Sequence, residues 1–260
     1  MSMDTPRAVP PAHATVATPR AYLQEARCEF MRMLREPAFG IPVIVFPAMF
    51  YLLFAVLLDR GSAGAAQYLL ATCGVFGVMG AAMFGFGVTI AMDRERGYLR
   101  LRRALPSPPG AMLVAKMAMA MVFAAIISLL LAALAWGLAG VRMPAAQALG
   151  LPAVNVAGVL PFAAIGMYVG AVLGGNSAPV VLNLLYLPMS FLSGLWMPLS
   201  MLPGWLAGIA PVWPAYHLSQ LALKIVGHDG GGAAWLHLLV LAGLTAVFFT
   251  LARRRLAAAE

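Results

Sequence analysis

Residues 111–139 read AMLVAKMAMAMVFAAIISLLLAALAWGLA, a run without Asp or Glu and with one cation, Lys116. A helix rises ~1.5 Å per residue, so this run is long enough to cross a hydrocarbon layer ~30 Å thick. Five similar runs flank it: Phe39 to Leu58 and Tyr68 to Met92 before it, and Ala153 to Gly174, Val180 to Met197 and Ala233 to Ala252 after it. None of them contains Asp or Glu. The expected fold class is an all-α integral membrane protein with six transmembrane helices.

The composition agrees with this. Of 260 residues, 62% are hydrophobic and 10% charged, against roughly a quarter charged in an ordinary soluble domain. That argues against a water-soluble single domain, and it leaves little polar surface for nucleic acid despite the net charge of +8. Cys28 and Cys73 are the only cysteines, too few for a disulfide framework or a zinc cluster within the chain. Met1 to Pro19 is rich in Pro, Ala and Thr, lacks the apolar core of a signal peptide and is expected to be a flexible tail.

The basic residues fall into place once the amino terminus is put in the cytoplasm. Fourteen of the 17 Lys and Arg then lie on that side, leaving Arg60, Arg142 and Lys224 outside. The positive-inside bias therefore expects both termini in the cytoplasm. Trp136, Trp196, Trp205, Trp213 and Trp235 all fall at or beyond the outer ends of the runs, where an apolar ring with one N–H donor is favoured.

Three stretches outside the runs have their own patterns. Over residues 20–37, at ~100° per residue, Tyr22, Leu23, Ala26, Phe30, Met33 and Leu34 share one face, and Glu25, Arg27, Glu29, Arg32, Arg35 and Glu36 the other. This predicts an interfacial amphipathic helix, with the apolar face meeting lipid or protein and the polar face meeting water and head groups. Residues 93–110, DRERGYLRLRRALPSPPG, form a charged loop between two runs. It suits either anchoring to anionic head groups or docking into a groove of another protein. Pro198 to Gly232 is too proline-broken to span and too apolar for an ordinary loop, so short outer interfacial or re-entrant helices are expected, as a lid or as packing. Gly166, Gly170 and Gly174, spaced by four, and Gly74, Gly77 and Gly80, spaced by three, offer small-residue faces for helix packing.

Catalytic motifs are missing from the chain. No G-x-x-x-x-G-K-[ST] phosphate loop, H-E-x-x-H zinc helix or G-x-S-x-G elbow is present, so neither an ATPase nor a metal site is expected here. The acid-free runs also lack the carboxylates of an ordinary proton relay or cation site.

Arg32 to Phe54 (RMLREPAFGIPVIVFPAMFYLLF), Glu95 to Lys116 (ERGYLRLRRALPSPPGAMLVAK) and Leu192 to Leu218 (LSGLWMPLSMLPGWLAGIAPVWPAYHL) together resemble the permease subunits of type-2 ABC exporters, the ABC-2 family. The resemblance runs from about Ala21 to Leu256. It implies that two permease chains, as a homodimer or heterodimer, pair with two copies of a separate ATP-binding subunit. ATP and Mg would sit on that subunit, with no cofactor on this chain. It further implies export of a hydrophobic or amphipathic substrate, such as a drug, a lipid or a lipid-linked glycan, across a bacterial inner membrane. The alternative is a membrane scaffold or assembly factor that binds an ATPase and moves nothing. By the same resemblance the coupling element would comprise Arg94, Glu95, Arg96, Tyr98, Leu99, Arg100 and Arg102. The path would be lined by Met83, Phe84, Phe86, Asn183 and Tyr186.

Overall fold

The computed structural model describes residues 19–35, 37–58, 63–98 and 111–258, and among these it contains helices and connections but no strand. In chain order the helices are α1 (Pro19–Leu34), α2 (Pro37–Tyr51), α3 (Ala63–Glu95), α4 (Ala111–Gly137), α5 (Ala145–Gly158), α6 (Leu160–Val172), α7 (Ser177–Leu192), α8 (Gly204–Ile209), α9 (Pro214–Val226) and α10 (Ala234–Ala258). A π-helical stretch, Leu52–Leu58, follows α2, and 3₁₀ turns at Leu199–Met201 and Ala210–Val212 flank α8.

Four stretches are long and apolar enough to cross a membrane: Gly64–Glu95, Ala111–Gly137, Ala145–Val172 and Ala234–Ala258. Ile41–Leu57 and Ser177–Leu192 are shorter apolar helices. All six expected runs are therefore helical, though their boundaries differ from the expectation. The run expected to reach Met197 stops at Leu192, because Gly194 turns the chain with φ +75°. The fourth run is broken between α5 and α6. Pro161 has no N–H to give to the carbonyl of Ala157, so the ladder cannot continue unbroken there. α3 runs on through Asp93, Arg94 and Glu95, so these residues extend a helix and do not open the loop. The rest of that loop, 99–110, lies outside the described residues.

α3 is the centre of the bundle. Phe76, Met79, Met83, Phe86 and Ile90 along it are buried, and α2, α4, α6, α7 and α9 all pack on it. Its glycines explain how so many helices approach one axis. A Cβ at Gly74 would come within 2.7 Å of the Asn155 amide, one at Gly77 within 2.6 Å of the Pro47 ring, and one at Gly80 within 3.0 Å of the Tyr186 hydroxyl. Each glycine thus seats a different helix. α6 comes closest of all: a Cβ at Gly166 would lie 2.7 Å from the Met83 carbonyl oxygen, and one at Gly170 would strike the carbonyl oxygen of Gly87. Backbone meets backbone there, as small residues permit between membrane helices. Gly174 is off this face, past the end of α6 and beside the Glu95 carboxylate.

The region before the last long helix divides in two. α8 and its 3₁₀ flanks expose Met201, Trp205 and Val212. α9 is amphipathic and buries His217, Leu218, Leu221 and Ala222 against α3, α5 and α10.

Candidate functional site

α1, the C-terminal end of α3 and the N-terminal end of α4 converge at one end of the bundle, where most of the charge among the described residues is gathered. The Lys116 ammonium, fully buried, donates to the Glu29 carboxylate at 3.1 Å and lies 3.5 Å from the Thr89 hydroxyl. Glu29 is itself 3% exposed. Arg32 donates two parallel bonds to Asp93, at 2.8 and 2.7 Å. A buried charge is tolerable only with a well-placed partner. The planar guanidinium matches a carboxylate in this fork geometry. The two pairs pin α1 to α3 and α4 at fixed positions.

These contacts revise the expected placement of α1. Its polar stripe, Glu29 and Arg32, turns toward the protein, while Leu23 and Phe30 on its apolar face are exposed. Glu29 and Arg32 turn inward because α4 and α3 offer them Lys116 and Asp93, whereas Arg27 and Arg35 of the same face remain exposed. The i, i+4, i+7 recurrence of Glu25, Glu29 and Arg32 carried the signal, together with one lysine inside an acid-free apolar run. Spacing alone did not say that they meet.

At the end of α3 the expected coupling residues part ways. Arg94 donates to the carbonyl oxygens of Ala171, Val172 and Leu173, with its bond to Leu173 at 3.0 Å. It thereby satisfies the unpaired carbonyls and negative dipole end of α6. Glu95 lies against Gly174 and Gly175. Gly97, at φ +73°, then turns the chain, a conformation that L side chains resist. On either side of this turn Arg96 and Tyr98, with Cys28, Met31, Arg32 and Arg35 of α1, line an open groove of ≈ 680 Å³. Three of its six lining residues are arginines. Leu99, Arg100 and Arg102 lie outside the described residues.

Of the expected path residues, Phe84 and Tyr186 come together, their rings edge to face with centroids 5.5 Å apart. Tyr186 also packs on Phe76 at 4.9 Å and donates its hydroxyl proton to the Phe76 carbonyl at 3.2 Å. Asn183, one turn earlier on α7, is exposed. Met83 and Phe86 are buried inside the chain, away from any open surface.

A second polar cluster, which the sequence had not singled out, joins α9 to α10. His217 and His237 approach through their Nδ1 atoms at 2.8 Å, and His217 Nε2 lies 2.9 Å from the Pro211 carbonyl. The carbonyl can only accept, so Nε2 of His217 carries a proton, and in the neutral pair His237 Nδ1 is the donor. Burial holds His217 below its ordinary value of 6.5, against the opposing pull of the Pro211 carbonyl. Nearby, Lys224 donates to Asp229 at 2.8 Å and to the Gly232 carbonyl at 2.9 Å.

The description "ABC-2 type transporter" matches residues 23–226, from α1 through α9. The chain belongs to the ABC-2 type transporter family. This ABC-2 chain is also 26% identical over 246 residues to a Bacillus subtilis (strain 168) protein named "Putative transport permease YvfS", covering 88% of this chain and 94% of that protein. Membership in the ABC-2 family, together with the long apolar helices, makes it a multi-pass membrane protein. No group of three or more His, Cys, Asp or Glu among the described residues of this ABC-2 chain is placed to hold a metal ion.

Proposed function

We propose that this chain is the membrane permease of an ATP-driven exporter, with six spans and both termini in the cytoplasm. A separate ATP-binding subunit, present in two copies, drives a pair of such permeases. The observation that carries the reading is the arginine-lined groove between α1 and the end of α3, held in shape by two ion pairs. A surface of this kind, basic at the rim with Met31 and Tyr98 available as anchors, suits an acidic patch on a partner protein. Arg96, Tyr98, Leu99, Arg100 and Arg102 would make the contact. Arg94 and Glu95 would instead hold the end of α3 to α6. The hydrophobic or amphipathic cargo would pass along the surface of α3 and α7 near Phe84, Asn183 and Tyr186. Met83 and Phe86 would join that surface only if the helices move.

The test is the double variant Arg96→Glu with Arg100→Glu, reconstituted in vesicles with the ATP-binding subunit. Permease-stimulated ATP hydrolysis and ATP-dependent flux should fall about tenfold or more, the equivalent of ~1.4 kcal/mol of lost contact, while membrane insertion is unchanged. Unchanged coupling would refute the docking assignment. A wild-type complex that binds the ATPase yet shows no flux of any candidate cargo would favour the scaffold reading.

A further inference from the structure

A second groove, of ≈ 710 Å³, opens between α4, the α5–α6 break, α9 and α10, far in sequence from the arginine-lined groove. Met117, Gly158, Pro161, Leu221, Leu241 and Phe249 are among the residues that line it, and its walls are almost wholly apolar. It lies at the junction of α5 and α6, where Pro161 withholds an N–H from the hydrogen-bond ladder. Gly158 lies so close to α9 that a Cβ there would strike Leu218.

We propose that this groove is a binding site for one acyl chain of an anionic phospholipid, whose head group is held by Arg253. The argument is geometric and electrostatic. Leu238, Leu241, Ala242, Thr245, Ala246 and Phe249 of α10 line the groove and recur at three and four, so they form one stripe on that helix. Arg253 follows Phe249 by four residues and prolongs the same stripe. It is exposed, and among the described residues no carboxylate pairs with it. From Arg253 to Leu238 the helix axis covers about 22 Å, less than the ~30 Å hydrocarbon core. The lined part of the stripe, Leu238 to Phe249, covers about 16 Å, room for most of one extended lipid tail, and Arg253 lies one turn beyond its end on the same stripe. Basic side chains at such a mouth select anionic head groups. Arg254 and Arg255 are exposed on other faces of α10 and add a general attraction without sharing the stripe. The site itself needs only that α10 lies in lipid. Its assignment to the cytoplasmic leaflet rests on the orientation proposed above.

Native mass spectrometry of the detergent-purified full chain, titrated with palmitoyl-oleoyl phosphatidylglycerol or phosphatidylcholine, tests the site without an ATP-binding subunit. The outcome is therefore separate from that of the transport reading. The wild type should retain phosphatidylglycerol in preference to phosphatidylcholine. R253Q should reduce that preference about fivefold, whereas R254Q should reduce it less. Ala246→Phe, which fills the groove, should lower retention of both lipids. Ala242→Leu serves the same purpose if the larger side chain prevents folding. Equal retention of the two lipids by the wild type, or unchanged retention after filling the groove, would overturn the proposal. So would a groove-filling variant that converts a dimer to a monomer, since a second copy of the chain would then be the occupant.

Discussion

An ammonium group with no exposure must be matched within hydrogen-bond distance or be lost from the charged state, and Lys116 is matched by Glu29 across 87 positions of sequence. Truncating one partner removes the opposite charge that faces the other in a buried setting. Lys116→Ala should therefore lower stability by about 3–5 kcal/mol, whereas Glu29→Gln with Lys116→Met should recover most of the loss. Thermal unfolding in detergent measures both. The glycines give a second residue-level contrast. Gly170→Ala should cost about 1–3 kcal/mol, because its new methyl group meets the Gly87 backbone. Gly243→Ala, with nothing within 4 Å of its Cβ position, should be neutral or stabilising by about 0.5–1 kcal/mol. The sequence showed Gly166, Gly170 and Lys116 as unusual residues in apolar runs. It could not show what each faces, because partners such as Glu29 and Gly87 lie in other helices.

At the scale of elements, apolar length made every long helix legible, and turn chemistry set ends that composition could not. α7 ends at Leu192 although the apolar run continues to Met197, since hydropathy does not register the positive φ of Gly194. α1 was legible as amphipathic, but the side it turns inward depended on Asp93 and Lys116. α9 was legible only as something other than a span. Its burial follows from packing against α3, α5 and α10. Because burial lowers the His217 value below 6.5 in the folded state, the unfolded chain takes up a proton first as the pH falls. Stability from this group is complete above 6.5 and declines below it until the folded-state value is passed. Melting temperatures between pH 7.5 and 5 should fall more steeply for the wild type than for His217→Gln.

For the whole molecule, the charge asymmetry of the sequence yields an orientation that labelling can check. Cys28 is exposed in the arginine-lined groove and Cys73 is buried in α3. A membrane-impermeant maleimide should label Cys28 in inside-out vesicles and not in right-side-out ones, with Cys73 unlabelled in both. Added ATP-binding subunit should slow labelling of Cys28 in the inside-out case. Labelling from the opposite side would invert the proposed topology.

The grip of Arg94 on the last carbonyls of α6 has a mechanical corollary. It works as a tendon between the tip of the central helix and its closest neighbour, at the place where the chain leaves α3 for the loop. A pull on that loop would load α6 together with α3, and α10 packs on α6 in turn. A load applied at that corner of the bundle would thereby be shared among three helices.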